Sequence, residues 1–192
     1  MRAVRTLAGD RDTGAALTTS SERRDAITRH ARALDTLVSL VATSEHWPAR
    51  KRPASWYVGG YLQRLLAHVV RADQVLTWEE ISLLQEYFGH DLYWQDEDAW
   101  SRRITEQFPD LPMTTPEFFV ASCRYDASNG TDVSLRILAA IEDFCRCAAT
   151  IDDVLHPNEE ALIQSVVATL RSTSQGLAAS RNANGPTGPS SR

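Results

Sequence analysis

The chain has 192 residues, of which 43% are hydrophobic and 23% charged, with 9 Gly, 8 Pro and 3 Cys. That is enough for one ordinary core and too little for two, and the composition excludes a collagen-like, disulfide-stapled or wholly disordered chain. A formal net charge of −5 argues against nucleic acid as the main partner, because phosphate binding needs a cationic surface. The average conceals a separation: residues 1–71 carry 12 of the 20 basic side chains, whereas residues 73–98 carry eight acids and no Lys or Arg.

Residues 1–18 are polar, Arg-rich and aperiodic, and are expected to form a flexible segment. They lack the continuous apolar stretch of a signal peptide, and no apolar run approaches the ~20 residues of a bilayer span, so the chain reads as cytoplasmic and not transmembrane. Cys123, Cys145 and Cys147 fit a reducing compartment: their number is odd and they form no CxxC pair.

A helix start follows, with Thr19 and Glu22 at capping-box spacing. Ile27, Ala31, Leu34, Leu37, Val38 and Val41 recur at intervals of three and four, predicting a long helix that ends before Trp47-Pro48. Ser55 is placed to cap a second helix with Val58, Tyr61, Leu62, Leu65, Leu66 and Val69 inward. Thr77 and Glu80 form a second capping box, opening a helix that stops at Gly89. An acidic, aromatic stretch predicts a fourth helix over Asp96–Gln107. Thr115-Pro116-Glu117 opens a fifth, to about Tyr125. Val133 to Ala149 predicts a sixth, and Pro157 opens a last one through Leu170. Residues 172–192, rich in Ser, Gly, Asn and Pro, are expected to be a disordered tail. No period-two alternation occurs, so the expected fold over residues 19–171 is an all-α bundle of about seven helices.

The segment RADQVLTWEEISLL (Arg71 to Leu84) recurs 79 positions later as TIDDVLHPNEEALI (Thr150 to Ile163), matching Asp73 to Asp152, Val75 to Val154, Leu76 to Leu155, Glu80 to Glu159 and Leu83 to Leu162. Each copy ends one helix and begins the next. The Val and Leu are expected to pack the loop on the core, with the Glu at the third position of the following helix, and the pairing suggests two helix-loop-helix units related by a pseudo-twofold axis.

ADQVLTWEE (Ala72 to Glu80), and less closely DDVLHPNEE (Asp152 to Glu160), resemble the hallmark of the tellurite-resistance TerB-like helical domains: Ala-Asp-Gly, an aliphatic residue, Ser, Thr or Asp, then a Glu on the next helix. The resemblance implies an all-α bundle with pseudo-symmetric halves whose acidic loop residues bind a metal. YDASNGTD (Tyr125 to Asp132) is similar, more weakly, to helical domains that accompany AAA-type ATPases. Where the family has glycine this chain has Gln74 and Asp153, and a positive φ there suits Asp153 better than Gln74.

Three groups of residues carry candidate chemistry. Asp73 and Glu80, or Asp152, Asp153 and Glu159, could converge on a weakly bound divalent cation, a hard ion that takes six or more oxygens; alternatively, Glu80 and Glu159 simply cap their helices. Arg50, Lys51 and Arg52, between Trp47 and Trp56-Tyr57, could bind an anionic surface such as nucleic acid or membrane, anchor a solvated loop, or meet the chain's own acidic stretch. Asp91, Asp96, Glu97 and Asp98 offer an acidic face to a basic partner. Gly59-Gly60 lacks a phosphate-loop context and reads as close helix packing. No nucleophile-base or HExxH signature is present. The expected function is therefore a non-catalytic binding, scaffold or regulatory module in a bacterial stress-response or secretion-related system, acting on a protein partner such as an AAA-type ATPase. A divalent-metal sensor or metal-dependent enzyme is the alternative.

Overall fold

The structure, a computed structural model, describes residues 20–48, 52–88, 106 and 114–183, with side chains to residue 179. It is all-helical, and its six helices among the described residues are α1 (Ser20–Ala42), α2 (Ala54–Val69), α3 (Trp78–Phe88), α4 (Glu117–Asn129), α5 (Val133–Ala149) and α6 (Pro157–Ala183). The expected helix over Asp96–Gln107 lies outside the described residues except for Glu106, as does the segment 1–18. No helix among the described residues is long and apolar enough to cross a membrane.

The α1 and α5 helices pack together most extensively, and α2, α4 and α6 close around them. The periodicity of α1 explains this: Ile27, Leu34, Val38 and Val41 form one fully buried stripe. It meets Ile137, Ile141 and Phe144 of α5, Leu65 and Leu66 of α2, and Ile81 and Leu84 of α3 in one continuous core. Phe144 lies edge-on to Tyr87 of α3, with centroids 5.9 Å apart, which ties α3 to the centre of the bundle.

Several helix ends differ from expectation. Pro53, in extended conformation, and not Ser55, occupies the N-cap of α2, and Pro116 occupies that of α4. In both cases proline's fixed φ sets the entry geometry without a side-chain acceptor. The α4 helix runs past Tyr125 to Asn129, where Gly130 at φ 66° closes it, its N–H donating to the Asp126 carbonyl at 2.8 Å. The α6 helix continues beyond the expected boundary at residue 171, to Ala183. Composition misleads there because Leu177 still packs on the core, while the Thr169 and Thr173 hydroxyls donate to carbonyls one turn back and so stay helix-compatible.

Candidate functional site: two acidic turns

The α2–α3 and α5–α6 connections share a set of hydrogen bonds. Ala72 N–H donates to the Val69 carbonyl at 3.1 Å and Ile151 N–H to Ala148 at 3.2 Å; Gln74 donates to Arg71, and Asp153 to Thr150, both at 3.0 Å. The Oδ1 atoms of Asp73 and Asp152 accept from the N–H groups two residues on, Val75 at 2.9 Å and Val154 at 3.0 Å. The Oε2 atoms of Glu80 and Glu159 each reach back to an N-cap N–H, of Thr77 and His156, at 2.8 Å. Every one of these bonds recurs at the 79-residue offset.

Gln74 and Asp153 have φ of 67° and 75°, the only non-glycine positive values among the described residues. Both occupy the glycine position of the sequence motif, and the left-handed conformation costs an L-residue about 1–2 kcal/mol. Asp153 has compensation: its carboxylate pairs with the guanidinium of Arg23, a side chain only 10% exposed that also reaches the Ile151 carbonyl at 3.5 Å. Gln74→Gly is therefore expected to raise the unfolding free energy by about 1 kcal/mol in urea titrations, whereas Asp153→Gly gives no gain, because it removes the carboxylate paired with a buried cation. Equal gains at both positions would contradict this account.

The two turns lie side by side. The Glu80 carboxyl, buried at 3% exposure, is pushed up to about 7, first by burial, which outweighs two hydrogen bonds from Thr77, and then by the charges of Asp152 and Glu159. Glu159, 2% exposed, is also raised to about 7, by burial and then by Asp73 and Asp152. Each buried Glu thus feels the opposite turn. A cavity of about 440 Å³ lies between the first turn and the start of α6, lined by His68, Arg71, Ala72, Gln74, Asn158 and Leu162.

The capping box at Thr77–Glu80 is complete, since Glu80 N–H also donates to Thr77 Oγ1 at 3.4 Å. In the second copy His156 takes the place of Thr77, and its Nδ1 accepts from Asn158 N–H at 3.4 Å. Of the five tentative metal ligands, Asp73, Glu80, Asp152, Asp153 and Glu159, each accepts a hydrogen bond from a protein donor. Among the described residues no three His, Cys, Asp or Glu side chains are grouped to hold an ion.

The apolar residues of the turns correct the sequence reading. Leu76 is buried, but its counterpart Leu155 is 39% exposed, and Val75 and Val154 point outward at 61% and 59%. The positive φ that follows each Asp directs the Val away from the core. Trp78 adds a further exposed ring at 63%. Arg52 is exposed, its guanidinium 5.9 Å from the Trp56 ring centroid; Arg50 and Lys51 lie outside the described residues, as do Asp91, Asp96, Glu97 and Asp98. Nothing lies within 4 Å of the Cβ position at Gly59 or Gly60, so these glycines border open space and do not serve close packing.

Two features had no local sequence signal. Arg23 reaches the second turn from the start of α1, 130 residues away in the chain. Asp126 of α4 caps α5: its Oδ1 accepts from Val133 N–H at 2.8 Å and Thr131 Oγ1 at 2.6 Å, and its Oδ2 accepts from Ser134 N–H at 2.7 Å. Comparison of the chain with models of known protein families, with curated proteins and with solved structures returns no match.

Proposed function

We propose that this chain is a non-catalytic, TerB-like binding module whose contact face is the paired turns. The observation that carries this reading is the outward placement of Val75, Trp78, Val154 and Leu155 on neighbouring turns that also hold Asp73 and Asp152. Apolar side chains within an acidic rim suit a protein partner presenting aliphatic and basic groups, which the negative field would steer. The matched hydrogen bonds of the two turns support a pseudo-twofold relation between α2–α3 and α5–α6. A role beside an AAA-type ATPase in a stress or secretion system is the form of partnership that the family resemblance suggests. Burial holds the thiols of Cys123, Cys145 and Cys147 above their ordinary range and so protonated, which is consistent with a binding rather than a nucleophilic role.

The test compares proteins co-purified from the native organism by the wild type, by V75D/V154D, and by L135D, which alters an equally exposed leucine away from the turns. A partner retained by wild type and L135D and lost from V75D/V154D is expected. Identical capture by all three would refute the face.

The divalent-cation reading draws on a different observation, the two carboxyls held near pH 7 by burial and by one another's turns. A bound cation would relieve that repulsion and release protons. Calorimetric titration of calcium, magnesium, manganese and zinc in two buffers of different ionisation heat measures that release directly, and absence of heat in both removes this reading.

A further inference from the structure

We infer that the cavity where α1, α2 and α3 meet is a binding site for a free α-amino acid with an apolar side chain. It measures about 410 Å³, within the range of small-molecule sites, about 300–1,000 Å³. Thr28, Ala31, Arg32 and Asp35 of α1 recur at intervals of three and four, so they share the helix face that lines it. Val58 and Leu62 of α2 and the Tyr87 ring of α3 add apolar wall. Gly59 lies between them on α2, and no atom comes within 4 Å of its Cβ position. A glycine inside a helix weakens it, and close packing does not require this one; its effect is to keep the cavity open.

The charges on these walls single out the ligand. Glu86 is paired with Arg24 at 3.4 Å, Gln63 donates to the Tyr87 carbonyl at 2.9 Å, and the Tyr87 hydroxyl bonds Thr28. Asp35 and Arg32 remain: among the described residues neither makes an ion pair, with the other or with any further side chain. Asp35 Oδ1 is sealed from solvent and accepts no hydrogen bond. The charge is therefore answered only through the part of the carboxylate that faces the cavity, where an ammonium group is favoured.

Arg32 and Asp35 are three positions apart on one helix, about 5–6 Å between Cβ atoms. An α-amino acid carries its ammonium and carboxylate on a single carbon, so one ligand meets both groups. Asp35 takes the ammonium, and Arg32 takes the carboxylate with the forked donors of its guanidinium. The apolar side chain then lies against Val58, Leu62 and the Tyr87 ring. A simple amine leaves Arg32 unanswered, and a simple carboxylate meets Asp35 as a like charge. A protein terminus presents only one of the two charges, which favours the free amino acid over a peptide end.

The experiment titrates the full ¹⁵N-labelled chain with L-leucine, L-phenylalanine, isoamylamine (leucine without its carboxylate) and N-acetyl-L-leucine (leucine without its ammonium), following the amide signals of Gly59 and Leu62. At least one of the two amino acids is expected to shift both signals saturably. Isoamylamine and N-acetyl-L-leucine should each bind at least about tenfold more weakly than L-leucine, because each loses one charged contact. Asp35→Asn and Arg32→Gln should weaken the amino acid by a similar factor. Gly59→Leu, which fills the cavity, should abolish binding and leave the core signals in place. No saturable shift with either amino acid would overturn the assignment. Isoamylamine or N-acetyl-L-leucine binding as tightly as L-leucine would also overturn it, since the site would then read one charge only. The ligand series needs only the wild-type chain, so it decides the matter even where a variant fails to fold.

Discussion

Stability of the wild-type protein should fall as pH rises from about 5 to 8, and replacing both buried glutamates by glutamine should flatten that slope. Glu80 and Glu159 are displaced upward from 4.5 to about 7. A group raised in the folded state binds its proton more tightly there than in the unfolded chain, so its contribution is full below about 4.5 and lost as pH passes through about 7. One such displacement corresponds to about 3 kcal/mol. Because part of each shift comes from charge on the opposite turn, the pair together should lose less than twice that. Glu160 does not obscure the slope: Arg146, bonded to it at 2.7 Å, holds it below its usual value, so its effect lies at more acid pH. Urea unfolding at pH 5, 6.5 and 8 checks the claim. In E80Q/E159Q the amide oxygen can still accept from the cap N–H of Thr77 or His156, so the fold should survive while the dependence disappears. A wild-type profile flat across this window would show that these carboxyls ionise without penalty.

Asp126→Ala should destabilise the protein by about 3 kcal/mol, lowering the melting temperature by roughly 10 °C for a domain of this size. The carboxylate satisfies the N–H groups of Val133 and Ser134 in the first turn of α5 and holds the Thr131 hydroxyl. Asp132, in the N-cap position, makes no side-chain capping bond, so nothing in its own loop replaces Asp126. An ordinary cap contributes about 1 kcal/mol, and here a charged acceptor serves two helix N–H groups of the helix that packs most extensively on α1. Asp126→Asn, keeping one acceptor oxygen, should lose about half as much. Thermal melts followed by circular dichroism measure both, and a loss below about 1 kcal/mol for the alanine variant would mean that water caps α5 adequately.

The all-α class, most helix positions and the duplicated turn were legible in the sequence because they depend on short-range pattern. Periods of three and four mark the buried stripe of α1, and an Asp followed seven residues later by a Glu marks each turn. Even the positive φ at Gln74 and Asp153 falls at the position where the hallmark they resemble carries glycine. Local chemistry at helix ends was less legible: Pro53 took the cap expected of Ser55, and α6 ran on through a Ser- and Thr-rich stretch because Leu177 finds a surface to pack on.

What only the tertiary structure decided is which groups face one another. Burial and long-range approach depend on the packing of whole helices, so no local spacing could announce that Glu80 and Glu159 share one electrostatic environment or that Arg23 reaches Asp153. The same packing turned Val75 and Val154 outward, where the motif alone suggested that they faced in. By itself the sequence determined the two acidic turns; the fold made them one surface.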